Sequence, residues 1–427
     1  MFCSRIHRIL KALVVTRVPV FLSLFVCTRV SASAIDTAGG RYYNSLFSNV
    51  KITSGIQYGS APDYTNTTVN LLMDIYQPAG DTVLERPVIV FAHGGAFLSG
   101  TREDSDVVEL CFLFAQMGYV TASIDYRLGA AGADSVDATD AVIRAEQDMK
   151  AAVRFFRKDA QLPDLYHIHP NYIFAGGSSA GAFAALHLAY LDSVSKVPSY
   201  INLAALNGLD GNSGNSGYSN KVNGVINLCG ALGKKTWIDR SGPPVVSVHG
   251  TADPIVPYGT GYIYAYGVPI LEVDGSSSIN AYAQSIGVNS ALYSFIGAGH
   301  VPYYPLSSPT AAAYMDTTVN FVKAFLRPLL VLPSVTSIDE KDLTGKTLTV
   351  FPNPSSGSLR IIISGNNNPA ARGTLKIVDI AGRQILTIPV NTPDILLNNE
   401  NWAKGVYFFQ VVDNDNYSIG SGKIVIE

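Results

Sequence analysis

Short apolar runs of strand length alternate with stretches of helical periodicity over most of the chain. The runs are Leu71 to Tyr76, Val88 to Ala92, Val120 to Asp125, Tyr172 to Ala175, Val225 to Cys229, Val245 to His249 and Leu292 to Ile296, with an earlier strand expected around Lys51 to Gln57. Helical spacing covers Asp106 to Met117, Asp137 to Lys158, Ala180 to Tyr190, Ser276 to Ser285 and Pro309 to Leu326. Strand and helix in alternation predict an α/β fold, with a mostly parallel eight-stranded sheet and helices on both faces. The pattern breaks near residue 327. Residues 329–346 read as a linker, and Thr347 to Pro354 opens a series of β-type segments: Ser358 to Ile363, Thr374 to Ile380, Gln384 to Ile388, Gly405 to Val412 and Lys423 to Ile426. These predict a small antiparallel sandwich over 347–427, separate from a domain spanning 35–328.

The first 34 residues carry a different pattern. Arg5, Arg8 and Lys11 precede the apolar run Val18 to Cys27, and Ala32-Ser33-Ala34 is a small-residue cleavage site, as in a secretory signal peptide. The run is about half of the roughly 20 residues needed to cross a bilayer, so no stable membrane span is expected. Removing 1–34 takes Cys3 and Cys27 with it. Cys111 and Cys229 remain, one in a helical stretch and one near a strand end, both in apolar company that favours buried free thiols. A net charge of −3 and the lack of a basic run in the mature chain exclude a nucleic-acid partner.

Two glycine-rich stretches carry the chemistry. Gly177-Ser178-Ser179-Ala180-Gly181 follows the apolar Asn171 to Ala175 and opens a helical stretch, the context of a serine held on a sharp strand-to-helix turn. Ser179 occupies the central position, and Ser178 is assigned to packing. His93-Gly94-Gly95-Ala96-Phe97 follows Pro87 to Ala92, where a loop leaving a strand can aim backbone N–H groups at a reacting carbonyl. Each such donor stabilises a developing oxyanion by roughly 3 kcal/mol. Gly95, Ala96 and Ala180 are the candidate donors, and His93 is read as structural.

In these two motifs the chain resembles the alpha/beta-hydrolase superfamily, in its carboxylesterase and lipase branch with HGG-type oxyanion loops. Ala122 to Gly129, with its Tyr126-Arg127-Leu128, and Gln147 to Phe155 extend the similarity, which runs roughly from Val50 to Leu326. Ala96 departs from the glycine that lipases of this branch often carry, but a backbone N–H survives the change. The resemblance implies a serine, acid, histidine order along the chain. Downstream of Ser179, His249 ends a strand in Val245-Val246-Ser247-Val248-His249-Gly250-Thr251-Ala252-Asp253, a segment similar to the one that supplies the acid. That reading makes Asp253 the acid, His249 a strand-end structural residue and His300 the base. Glu272 and Asp274 are the rival acids. Ser179 needs a base because a neutral hydroxyl is a poor nucleophile, and the acid fixes the tautomer of that base.

Other polar clusters carry less. Residues 191–222, with Asp210 to Asn220 at their centre, read either as a surface loop or as a lid over the substrate; a calcium loop would require a closing acidic residue that is missing. His167-Ile168-His169-Pro170 has no carboxylate or cysteine cluster beside it and reads as a solvated loop, so no metal or cofactor is expected. Phe351 to Pro354, Asp379 to Arg383, Gly405 to Phe408 and Lys423 to Glu427 resemble, in that order, the C-terminal sorting domain of type IX secretion. The resemblance implies a Bacteroidetes-type bacterium, the type IX machinery as partner and a secreted or cell-surface protein. Trp402 and Tyr407 leave a carbohydrate-binding sandwich as the rival reading.

The expected activity is hydrolysis of carboxylic esters: short acyl, feruloyl or acetyl-polysaccharide, or polyester-type. Tyr258, Tyr262, Tyr264, Tyr266, Tyr303 and Tyr304 offer aromatic surface near the acid and base loops. A serine peptidase of the same superfamily and a binding protein on a silent hydrolase fold are the alternatives.

Overall fold

A computed structural model describes residues 35–304, 308–330, 346–365, 373–379, 383–413 and 418–427. The signal peptide read at 1–34, residues 331–345 of the linker, and 380–382 of one sorting motif lie outside the described residues. The chain divides into two compact units, Met1–Leu332 and Pro333–Glu427.

In the first unit the strands are β1 (Val50–Pro62), β2 (Thr68–Pro78), β3 (Arg86–Ala92), β4 (Val120–Ile124), β5 (Ile168–Ser178), β6 (Val225–Leu228), β7 (Ala231–Leu232), β8 (Val245–Gly250), β9 (Thr260–Ala265), β10 (Val268–Gly275) and β11 (Ser290–Phe295). The helices are α1 (Ser105–Gln116), α2 (Ser135–Asp159), α3 (Ala180–Tyr190), α4 (Ser276–Ser285) and α5 (Pro309–Leu329). Eight strands form one sheet in the order β1-β2-β4-β3-β5-β6-β8-β11, parallel from β4 to β11 and antiparallel at the β1, β2 edge.

Strand β3 shows why its run is apolar throughout. Val88, Val90 and Ala92 face the cluster that includes α2 and α3, while Ile89 and Phe91 face the cluster that includes α1 and α5. Both faces are covered, so neither tolerates polar residues. This two-sided core fixes the carboxyl ends of the parallel strands. His93 follows β3, Ser179 follows β5, Asp253 follows β8 and His300 follows β11, so residues distant in sequence emerge on one edge of the sheet.

Three local readings are corrected. His169 lies inside β5 and is buried, its Nδ1 accepting the Asn171 N–H at 3.1 Å, rather than in a solvated loop. The segment 191–222 joins the carboxyl end of α3 to the amino end of β6, and between them it reaches back to the first turns of α2, where the Tyr200 hydroxyl lies 3.2 Å from that of Thr139. It is no loose loop: Gln147 of α2 donates to the Leu206 and Gly208 carbonyls at 2.7 Å each, and Ser213 is fully buried. Glu272 and Asp274 lie on β10 of a three-stranded sheet, β7-β10-β9, whose hairpin the periodicity did not reveal.

The second unit is all β: β12 (Lys346–Phe351), β13 (Ser358–Gly365), β14 (Gly373–Asp379), β15 (Gln384–Val390), β16 (Asp394–Asn398), β17 (Gly405–Asp413) and β18 (Ser418–Ile426). They form two antiparallel sheets, β12-β13-β16 and β15-β14-β17-β18. Leu359 and Ile361 of one sheet share a core with Leu375, Ile377 and Phe409 of the other, which is the packing of a sandwich.

Candidate active site

Ser179 is the single residue between β5 and α3, with φ 53° and ψ −116°. A non-glycine residue in this left-handed region is strained, and the surroundings hold it there. Its N–H donates to the Leu228 carbonyl at 2.9 Å, and its own carbonyl accepts from Ala182 and Phe183 at 2.9 and 3.1 Å. The flanking glycines are required by close approach. A Cβ on Gly177 would sit 2.3 Å from the Gly181 carbonyl carbon, and one on Gly181 would sit 2.0 Å from the Ala92 carbonyl oxygen. Ser178 points elsewhere, its hydroxyl 2.8 Å from that of Tyr303.

The loop after β3 bends through three consecutive left-handed residues: Gly95 (φ 103°), Ala96 (φ 53°) and Phe97 (φ 63°). The Leu98 and Ser99 N–H groups close it onto the Gly95 carbonyl at 2.9 and 3.1 Å. Among the described residues no protein acceptor takes the N–H of Gly95 or of Ala96. Ala180 opens α3, so its N–H also lies outside the helical ladder. His93 holds this loop from behind. Its ring stacks on Tyr126 with centroids 4.4 Å apart, burial lowers its pKa and keeps it neutral, and Nδ1 donates to the Gly94 carbonyl at 2.7 Å. The Tyr126 hydroxyl donates to the His93 and Gly94 carbonyls at 3.0 and 3.1 Å.

His300 bridges the other two groups. Its Nε2 is 2.8 Å from the Ser179 hydroxyl oxygen and its Nδ1 2.6 Å from Asp253 Oδ2. The Asp253 side chain is fully buried. Burial alone would raise its pKa, but hydrogen bonds from His249 and His300, and the backbone N–H of Ile255, outweigh that and hold the carboxyl well below the usual carboxylate range. Its Oδ1 accepts the N–H groups of Ile255 and Val256 at 2.8 and 3.0 Å. The rival acids stand apart from this chain. Asp274 accepts from the Lys235 N–H at 2.7 Å and from the Thr260 hydroxyl, and Glu272 is exposed.

Sequence reasoning missed one residue at the site. His249 places Nε2 3.1 Å from Asp253 Oδ2, so its ring engages the acid directly rather than only ending a strand. The signal available was the four-residue spacing of His249 and Asp253 across a tight turn.

Around these groups lies an apolar cluster. Val142, Phe183, Val256 and Val273 pack together, with Phe97 and Ile263 against them. Leu98, Ile255, Ile296 and Tyr304 project into solvent from the loops that carry the candidate residues, as do Tyr262 and Tyr264 from β9. A cavity of about 560 Å³ lies elsewhere, between Lys150, Asp210, Asn223 and Pro243. Asn223 and Pro243 precede β6 and β8, so this cavity belongs to the opposite end of the sheet. Among the described residues no group of three or more metal-ligating side chains occurs.

Comparison with known proteins agrees with this architecture. Residues 73–233 match the BD-FAE family, a span that includes the His93 loop and Ser179 and ends before Asp253 and His300. Residues 349–427 match the secretion system C-terminal sorting domain. No curated protein sequence matches the chain. Among solved structures, Thermogutta terrifontis esterase 2 phosphorylated by paraoxon is 23% identical, with a TM-score of 0.48 over 67% of this chain and 97% of that one. The butyrate-bound form of the esterase from that species is 22% identical, with a TM-score of 0.45 over 62% and 92%. Two matched domains are therefore carried by the chain: a BD-FAE domain, of the alpha/beta-hydrolase esterase type, over residues 73–233, and a secretion system C-terminal sorting domain over residues 349–427.

Proposed function

We propose that the protein is a secreted serine esterase that cleaves carboxylic esters through an acyl-enzyme on Ser179. The observation that carries this reading is His300, hydrogen-bonded at once to the Ser179 hydroxyl and to the buried Asp253 carboxylate. As Ser179 Oγ attacks the ester carbonyl carbon, its proton passes to His300 Nε2. Asp253 stabilises the resulting imidazolium. The carbonyl oxygen becomes an oxyanion facing the N–H groups of Gly95, Ala96 and Ala180. Collapse of the tetrahedral adduct breaks the ester C–O bond, and His300 returns the proton to the leaving alcohol. A water then takes the place of that alcohol; His300 accepts its proton as the water oxygen bonds to the acyl carbon, and the acyl–Oγ bond breaks with the proton returned from His300 to Ser179 as the acid product leaves.

The apolar wall of Phe97, Phe183 and Val256 beside Ser179 supports an acyl or aryl group as the bound portion. The exposed Tyr262, Tyr264 and Tyr304 support substrates with extended surface, in the class of feruloylated or acetylated polysaccharide and polyester-type esters. The sorting domain, with the amino-terminal export segment, supports passage of the inner membrane and then, through the type IX machinery, of the outer membrane.

The test is labelling by a fluorophosphonate probe together with an ester panel: p-nitrophenyl acetate to palmitate, alkyl ferulates, acetylated xylan and an aromatic polyester. The native protein is labelled at Ser179, and Ser179→Ala loses both labelling and turnover, the latter by about a thousandfold or more. A Ser179→Ala protein that hydrolyses esters at the native rate overturns the proposal.

A further inference from the structure

We propose that His249 is a positioning residue that aims the Asp253 carboxylate at His300, an inference that rests on the triad reading above. His249 is the penultimate residue of β8 and its side chain is fully buried. Its Nε2 faces two acceptors, Asp253 Oδ2 at 3.1 Å and the Val256 carbonyl at 3.2 Å. Neither can donate, so Nε2 must carry the proton. In the neutral ring Nδ1 is then an acceptor, and the Ser276 hydroxyl lies 2.7 Å from it.

The remaining partners agree with that assignment. Ser276 Oγ accepts from the Asn227 amide nitrogen at 3.0 Å and keeps its own proton for donation to His249 Nδ1. Asn227 cannot be flipped, because its Oδ1 accepts the Gly230 N–H at 3.0 Å. Donation therefore runs one way, from Asn227 to Ser276 to His249 to Asp253. Tyr258 packs edge-on against the His249 ring at 5.7 Å and holds its plane.

The consequence falls on Asp253. Its Oδ1 is held by two backbone N–H groups and its Oδ2 by two histidines, so the buried carboxylate cannot rotate without breaking bonds. Without His249 the Oδ2 atom keeps a single donor, and the direction of the His300 ring loosens with it. The hydrogen bonds of His249 go to Ser276, Asp253 and Val256 and none to Ser179 or the loop after β3, so its effect belongs to turnover rather than to substrate binding.

Two variants separate positioning from packing. His249→Asn keeps a polar group near the Nδ1 position facing Ser276 but puts none at Nε2. His249→Gln places an amide N–H near the Nε2 position, able to donate to Asp253. With p-nitrophenyl butyrate, His249→Asn is expected to lose about ten- to a hundredfold in kcat, the scale of a misplacement of up to 1 Å, with KM within twofold of native. His249→Gln is expected to recover at least a third of native kcat. Ser276→Ala, which removes the hydroxyl that fixes the His249 ring at Nδ1 without opening a large cavity, should lower kcat severalfold with KM unchanged; it is the readout should His249→Asn fail to fold. Native kcat in His249→Asn or Ser276→Ala overturns the inference, as does equal loss in the Asn and Gln variants with matching falls in Tm, which would mean packing alone. Ser179→Ala, run alongside, keeps the two readings distinct. Its retention of activity would refute the triad itself, whereas its inactivity beside a fully active His249→Asn would refute only the role of His249.

Discussion

Gly181→Ala tests how tightly the serine turn is built against the oxyanion loop. The added Cβ would lie 2.0 Å from the Ala92 carbonyl oxygen, 2.4 Å from the Ala92 carbonyl carbon and 2.7 Å from the His93 carbonyl oxygen. All three are backbone atoms, with no side chain free to swing aside. Contacts under 3.0 Å are essentially never made, so the start of α3 and the end of β3 must part by about 1 Å. Overpacking of this kind costs about 1–3 kcal/mol of stability. The displaced elements carry Ser179 and Ala180 on one side and the Gly95 and Ala96 amides on the other. A misplacement of about 1 Å costs on the order of 100-fold in rate. The assay is kcat/KM on p-nitrophenyl acetate, paired with thermal denaturation. Gly259→Ala is the control, because its Cβ would meet nothing closer than Ser277 Oγ at 3.5 Å. The expected result is a folded Gly181→Ala protein with lowered Tm and about 1% of native kcat/KM, beside a Gly259→Ala protein close to native in both. A Gly181→Ala protein within threefold of native, with unchanged Tm, would refute the reasoning.

Three further outcomes are expected. Arg127→Met strands the fully buried Asp148, which Arg127 holds at 2.9 Å, and should cost about 3–5 kcal/mol in urea denaturation, whereas a loss below about 1 kcal/mol would show that the pair does not hold α2. Asp253→Asn should cut kcat by about four orders of magnitude. Because the folded protein holds the Asp253 carboxyl below the ordinary value of about 3.9, its ionised form contributes stability that is present at neutral pH and lost as pH falls through and below about 4. The gap in unfolding free energy between native and Asp253→Asn should therefore be widest near pH 7 and narrow below pH 4; a gap constant with pH would contradict this. Burial pushes the Cys229 thiol up to about 12 and raises that of Cys111 as well, so the chain from Ile35 onward should release no thiol to Ellman's reagent at pH 8 until denatured, and then two equivalents. Fast reaction of the folded protein would show that one of these sites opens.

The sheet was legible because its central strands are buried on both faces. Val88 to Ala92 has no polar position to blur the run, and Tyr172 to Ala175 in the strand before Ser179 is apolar in the same way. The β9, β10 hairpin was not legible, since Tyr262, Tyr264 and Tyr266 sit at exposed positions where apolar alternation ordinarily marks a buried face. His169 was misread because a histidine followed by proline looks like a loop, yet its ring packs edge-on against Tyr172 inside β5. The loose-loop reading of 191–222 failed for another reason. Polar composition says that a segment is near the surface; it does not say how firmly the segment is held. Arg154 and Gln147 tie this segment down through its carbonyl oxygens, which no side-chain pattern within 191–222 announces. At the candidate site, chain order was enough to propose Ser179, Asp253 and His300, whereas the bond from His249 to Asp253 depends on the turn between them and needed coordinates.

Of the twelve non-glycine residues with positive φ among the described residues of the first unit, five lie where this chemistry is proposed. Ala96 and Phe97 after β3, Ser179 after β5, Cys229 after β6 and Val301 beside His300 all hold positive φ without being glycine, and all follow carboxyl ends of parallel strands. Each such residue costs of order 1–3 kcal/mol, so the set survives only where the surrounding packing over-determines it. That packing is the two-sided core, with Phe91 and Ala92 fully buried on opposite faces immediately before the strained loop. The same core explains the geometry of His300. A rigid sheet holds the end of β5 and the end of β8 in register through β6, leaving one imidazole width between Ser179 and Asp253. The distances from His300 to Ser179 and to Asp253 are therefore a property of the sheet, and the strained turns are the means by which side chains at the strand ends are aimed into the gap.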